Sequence, residues 1–252
     1  MEQKKHRRRT LFQAFSLLLL LLLLIGGIFL VKRLNSTPSL SQAKQTTPTS
    51  IAGTQGTVEP LFTDKFSDNS KGWSLGEVAG YTRLLHNNML TLADTKHNVL
   101  VESIPTSTTF DDFSITTTFT LTQADKNDSV GLYVRGDSNL DHDYRIDIFG
   151  NTTYAISKEA LNSSNDLGQT FLVPPSHTNA IHPIGQRNVL TVAMKGPAMV
   201  VQMNGKTLHT LADTDYTHGQ IALFVANGTS SSGVTATFHD IVIYSVPNRL
   251  PG

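Results

Sequence analysis

The chain has 252 residues, with 20 Lys and Arg balanced by 20 Asp and Glu, so its overall charge gives it no reason to seek nucleic acid. It holds no cysteine, which excludes disulfides, thiolate metal ligands, a thiol nucleophile and the lipidated cysteine of a bacterial lipoprotein. The charge is uneven: seven basic residues (Lys4, Lys5, Arg7, Arg8, Arg9, Lys32, Arg33) and one acid, Glu2, fall in the first 33 positions, leaving 13 basic and 19 acidic residues beyond them, a net of −6.

From Thr10 to Val31 no residue is charged. About 20 apolar residues cross a hydrocarbon core about 30 Å thick, so residues 11–31 are expected to form a transmembrane signal-anchor helix. Basic residues crowd the near side, which makes 1–10 a cytoplasmic tail and places everything after the helix outside the cytoplasm, at the cell membrane. The alternative is a cleaved signal peptide, whose apolar region is shorter and ends at a small-x-small site. Ser41 and Ala43 offer such a site, but well beyond the apolar run and past Lys32 and Arg33. Residues 32–60 are rich in Ser, Thr, Gln, Gly and Pro without apolar periodicity, as expected of a flexible linker with an end-to-end distance of about 30 Å.

From residue 61 the pattern has period two. In FSITTTFTL, Phe113, Ile115, Thr117, Phe119 and Leu121 alternate with Ser114, Thr116, Thr118 and Thr120, which predicts a strand with one buried face. VGLYVRG, YRIDIF, LTVAM, MVVQM, IALFV and VTATF repeat the rhythm. Asn204-Gly205, between MVVQM and KTLHTL, predicts a type I′ hairpin, because both central residues of that turn need positive φ. About a dozen such strands without an amphipathic helix predict an all-β antiparallel sandwich or barrel. It should run over 61–247 and be followed by a short tail, 248–252.

The order of segments carries a resemblance. DKFSDNSKGW opens the domain, DFSITTTFTL, VGLYVRGDSN and YRIDIFGNTTYAISK follow, and VTATFHDIVIY closes it. Between Asn188 and Val225, N-x-L-x-V, an apolar strand ending in NG, and D-x-x-Y-x-x-G before IALFV are the most specific part. This resembles the concanavalin A-like lectin/glucanase superfamily, in its bacterial branch related to the 3-keto-disaccharide hydrolase domain. The resemblance implies a two-sheet antiparallel jelly-roll sandwich. These are turn and core motifs, and the fold hosts many functions.

DHDYRIDIFGN, residues 141–151, concentrates three aspartates and a histidine. Tyr144, Ile146 and Ile148 alternate with Asp143, Arg145, Asp147 and Phe149, so a strand with an apolar face and a solvated, charged face accounts for most of it. Asp143 and Asp147 stand about 13 Å apart along an extended strand, too far to hold one ion together. The preceding turn, with Asp137, Asn139 and Asp141, has the D-x-N-x-D spacing of a calcium loop's first half. His142 and Ile148 stand where such a loop has Gly and Glu, so a solvated turn is preferred to a calcium site and no other cofactor is expected.

Catalytic patterns are missing. The E-x-D-x-E of laminarinase-type glucanases, which sets two carboxylates about 5 Å apart, does not occur, and neither do G-x-S-x-G and H-E-x-x-H. Within the predicted sandwich Glu77, Glu102 and Glu159 are isolated in sequence. The nine histidines have no ligand spacing, and Trp73 is assigned to the core rather than to sugar stacking. N-x-S/T tripeptides, among them Asn127, Asn151, Asn162 and Asn227, would matter only in a eukaryotic secretory host.

Packing Val130, Leu132, Val134 and Tyr144, Ile146, Ile148 inward turns Tyr133, Arg135, Arg145 and Asp147 to the opposite faces of their strands. If the strands are neighbours, these four form a candidate saccharide patch of one aromatic ring, two guanidinium forks and a carboxylate. The competing expectation is an exposed Arg145–Asp147 pair without a ligand. The function expected is therefore a membrane-anchored extracytoplasmic lectin-like module that binds carbohydrate without catalysis. The alternative is an envelope domain that contacts a protein partner, and a glycan-processing hydrolase ranks below both.

Overall fold

The computed structural model describes residues 58–246. The expected cytoplasmic tail, membrane helix, most of the linker and the C-terminal tail lie outside the described residues. The described residues form fifteen strands in two antiparallel sheets. The larger sheet runs β13 (Lys206–Ala212), β12 (Ala198–Met203), β11 (Arg187–Lys195), β6 (Phe113–Gln123), β15 (Val234–Ser245), β4 (Met89–Asp94), β3 (Tyr81–His86), β2 (Gly76–Val78), and β1 (Phe62–Asp64) pairs with the second half of β15. The smaller sheet runs β10 (Leu167–His177), β9 (Thr153–Leu161), β8 (His142–Phe149), β7 (Ser129–Gly136), β14 (Gln220–Ala226), β5 (Val99–Ser103).

The period-two pattern produces this arrangement directly. Phe113, Ile115 and Phe119 of β6, Leu190 and Val192 of β11, and Ile241 and Ile243 of β15 join the core with Val130, Leu132 and Val134 of β7 and Tyr144, Ile146 and Ile148 of β8. Burying one such side chain contributes about 1.5–3 kcal/mol, so the facing stripes specify which side of each strand points inward. Trp73 is in this core, 2% exposed, with its Nε1 donating to Asp64 Oδ2 at 2.7 Å and its ring against Phe62 and Phe66. Asn204 and Gly205 make the predicted turn, with φ of 52° and 77°. The Asn204 side chain also ties the turn to neighbouring segments by accepting from Val189 N and donating to Ala180 O and Asn188 Oδ1.

Candidate functional site: the outer face of the smaller sheet

Strand register decides which polar side chains meet. Val130, Leu132 and Val134 pair with Ile148, Ile146 and Tyr144, so the residues between them share the sheet's outer face. Tyr133 lies opposite Arg145, Gly131 opposite Asp147, and on the next strand Glu159 lies opposite Asp143 and Ser157 opposite Arg145. On β14, Ala222 pairs with Tyr133 and Phe224 with Gly131. Gly131 is required by this packing: a Cβ there would come within 1.8 Å of the Ile146 carbonyl oxygen and 2.9 Å of the Phe224 ring.

Arg145 organises the face. Its Nε and Nη2 donate to Asp147 at 2.9–3.1 Å, and Nη1 donates to Glu159 Oε1 at 3.0 Å and to Tyr133 Oη at 3.1 Å. Its guanidinium stands over the Phe224 ring at 4.6 Å and the Tyr133 ring at 5.6 Å. Asp147 Oδ1 also accepts from Ser129 Oγ at 2.6 Å, and Gln169 Nε2 donates to Ser157 Oγ at 2.9 Å. Burial alone would lower the Arg145 pKa, but Asp147, Tyr133 and Glu159 outweigh it and hold the guanidinium firmly charged. Burial drives the Tyr133 phenol well up, so it stays protonated.

The polar face of β8 was expected to be solvated, and it is not. Asp143 is 0% and Asp147 2% exposed, and the Arg145 side chain is 12% exposed, so the pair is neither isolated nor on the surface. The cause is cover from both sides: β7 and β9 flank β8, while Leu140, from the turn before β8, packs on Tyr133, Ala222 and Phe224. Asp143 and Glu159, distant in sequence, become cross-strand neighbours. Both Asp143 oxygens and Glu159 Oε2 are buried without a hydrogen-bond partner. Burial first and Glu159 second push the Asp143 carboxyl up to about 8, against the pull of Arg145.

Tyr133, Arg145 and Asp147 thus come together, whereas Arg135 does not join them. Gln220 pairs with Gly136 and Ile221 with Val134, so Arg135 is the extra residue of a β-bulge, with φ of 54°. The bulge redirects its side chain, which is 2% exposed and donates to the carbonyls of Asp111, Gly196 and Tyr216 at 2.6–3.1 Å. It ties three loops together. Gly219, across the bulge, has no room for a side chain, since a Cβ would lie 2.2 Å from Gly136 O.

The calcium candidates form a self-closed turn. Asp137 Oδ1 accepts from the backbone N–H of Asn139 and Asp141, and His142 Nδ1 stands within 3.2 Å of both Asp137 and Asp141. Two carboxylates and an imidazole can converge there without the Asn139 side chain, a poor fit to the six to eight oxygens that calcium takes.

Beside the Arg145 network opens a cleft of about 450 Å³, within the usual size range of small-molecule sites. Arg145, Asp147, Ser129 and Phe149 form part of its lining with Gln169 and Phe171 of β10, and the 97–99, 127 and 226–228 segments complete it. Phe171 is 47% exposed. A larger hollow, about 720 Å³, lies at the larger sheet between Lys65, Asn87, Arg187, His239 and Asp240, but it has no Phe, Tyr or Trp on which a sugar ring could stack. Sequence reasoning missed Phe171, Gln169, Glu159 and Asn227 in this region. The alternation of β10 (LGQTFLVPPSH) is the only local signal for the first two.

Comparison with known proteins agrees with this architecture. Among curated proteins none matches the chain in sequence. A family-66 carbohydrate-binding module from Bacillus subtilis superposes with a TM-score of 0.53 at 13% identity, covering 69% of this chain and 96% of that one. A family-16 endo-glucanase from Bacteroides ovatus gives 0.53 at 12% identity, covering 73% and 99%. A protein of unknown function with a galectin-like fold from Bacillus subtilis gives 0.53 at 13%, covering 77% and 100%. At such identities these likenesses establish the fold, a concanavalin A-like jelly roll. The sequence profile of the 3-keto-alpha-glucoside-1,2-lyase-like domain matches residues 58–243, nearly the whole sandwich, and the chain belongs to that family.

Proposed function

We propose that the chain is a carbohydrate-binding module that holds a neutral saccharide in the cleft on the outer face of the smaller sheet. The observation that carries this is the pairing of an internally ion-paired polar floor with an exposed aromatic ring. Arg145 is spent on Asp147, Glu159 and Tyr133, so the floor offers hydrogen bonds without a net positive charge that would select an anion. Phe171 presents an apolar face for the C–H side of a sugar ring. The saccharide-binding module and the glucanase among the structural neighbours support the same ligand class. A cleft of about 450 Å³ falls within the volume range of small-molecule sites.

Binding is proposed without catalysis, although the family description names a lyase. Of the three carboxylates on this face only Asp147 lines the cleft, and Arg145 holds it; the cross-strand neighbours Asp143 and Glu159 do not line it, so the cleft presents no pair of carboxylates to a substrate. We place the module outside the cytoplasm, tethered by residues 11–31. The support is the uncharged run from Thr10 to Val31 with its basic flank.

A glycan array probed with the full chain tests the ligand class, and titration of the Phe171→Ala variant tests the place. Phe171 is exposed, so its truncation leaves the fold intact while weakening binding about twofold to tenfold, the range expected from losing one aromatic contact. An array without hits, or unchanged affinity in the variant, contradicts the assignment. Fractionation of the producing cell and recovery of the chain at its full 27.5 kDa in the membrane fraction tests the tether.

A further inference from the structure

We propose that Asn227 sets the specificity of this cleft, its side-chain amide reading two neighbouring hydroxyls of a neutral sugar. This rests on the saccharide-binding function proposed above and adds a residue and a recognition element to it. Asn227 is 5% exposed, yet neither Nδ2 nor Oδ1 has a partner within the protein, and the residue lines the cleft. Leaving a buried amide unpaired carries an uncompensated desolvation penalty, so an amide held this way is explained when a ligand supplies the partners.

The backbone around it is fixed. Asn227 N donates to Asn98 O at 2.9 Å, Gly228 N donates to Asp128 Oδ1 at 2.7 Å, and His97 Nδ1 is 2.8 Å from Gly228 O. Asp128, itself 0% exposed, is held in turn by Asp125 N at 2.7 Å and by Ser231 Oγ. The amide is therefore presented by a clamped loop, and little conformational entropy is lost when a ligand engages it.

The chemistry selects the ligand. Oδ1 accepts and Nδ2 donates side by side, which matches one hydroxyl that donates and its neighbour that accepts, the arrangement of a vicinal diol. Asp147 also lines the cleft; its Oδ2 takes one protein hydrogen bond, from Arg145 Nε, and keeps capacity for a further hydroxyl. Phe171 then faces the ring. An acetamido group is the other bidentate match for an amide, and it distinguishes the outcomes below.

The test is calorimetric titration of the full chain and its Asn227→Ala and Asn227→Asp variants with methyl glucoside, galactoside and mannoside and with N-acetylglucosamine. Asn227→Asp keeps the shape and the acceptor while removing the donor. We expect both variants to lose tenfold or more in affinity for the hexoside that the parent binds. We also expect Asn227→Ala to keep or raise the thermal midpoint, because it deletes a buried unpaired amide. Unchanged affinity, or a midpoint lowered by several degrees in both variants, overturns the role: the amide is then a structural group satisfied by water. Preference for N-acetylglucosamine overturns the diol assignment. Absence of binding to every sugar by the parent chain refutes the function as a whole, whereas binding that survives at Asn227 but fails at Phe171 refutes only this residue's role.

Discussion

Asp143 offers the sharpest energetic test, because a carboxyl with no exposed surface and no hydrogen-bond partner stands opposite a second carboxylate. Its pKa rises from 3.8 to about 8 on folding, with burial as the main cause and Glu159 as the next. Between these two values the unfolded chain is ionised and the folded chain holds the proton. Stability associated with this group is therefore full below pH about 4, falls as pH rises, and levels off above about 8. At about 1.4 kcal/mol per unit, the rise from 3.8 to about 8 amounts to about 6 kcal/mol, an upper figure because a buried site relaxes and admits water when it charges. The Asp143→Asn variant removes the titration and also relieves Glu159. Urea unfolding of both proteins between pH 4 and 9 should show the variant gaining on the parent by several kcal/mol as pH rises, most of it by pH 8. A stability difference that stays constant across that range would refute the buried, protonated carboxyl.

Arg135→Ala should destabilise by about 3 kcal/mol or more in urea unfolding, since the carbonyls of Asp111, Gly196 and Tyr216 lose their donor. It should leave saccharide affinity of the folded protein unchanged, as befits a residue outside the cleft. Gly131→Ala should cost at least about 1–3 kcal/mol, because the added carbon meets the Ile146 carbonyl and the Phe224 ring, and a neutral result would show that the strands do not approach this closely. Chelator should leave the thermal midpoint unchanged, whereas a rise of several degrees in millimolar calcium would show that the Asp137–Asp141 turn binds the ion. Incubation with a 3-keto-α-glucoside should return it intact, checked by mass spectrometry.

The sandwich was legible because side-chain alternation along a strand is a local property. Val130, Leu132 and Val134, and likewise Tyr144, Ile146 and Ile148, declare their buried face without knowledge of their neighbours, and they pair as that pattern requires. The meeting of Tyr133, Arg145 and Asp147 follows from the same alternation once β7 and β8 are adjacent. Arg135 escaped because alternation assumes that no residue is inserted. Its bulge shows only against Gln220 and Ile221 on another strand. The Asp143–Glu159 pair depends on the register between β8 and β9, and no single-strand pattern carries it. The expected solvated face failed for a related reason: cover by Leu140 and the flanking strands is tertiary. Asn227, followed by glycine after an apolar strand, has the sequence of an exposed turn. Its burial comes from segments 97–98 and 127–128, which are remote in the chain.

The most direct test of the central claim is a crystal structure of the chain with the saccharide that binds it best on the array. The account predicts the sugar ring over Phe171, with hydroxyls within hydrogen-bond distance of Asp147 and the Asn227 amide. A sugar seated instead in the hollow between Lys65, Arg187 and Asp240, with the outer face of the smaller sheet empty, would contradict it.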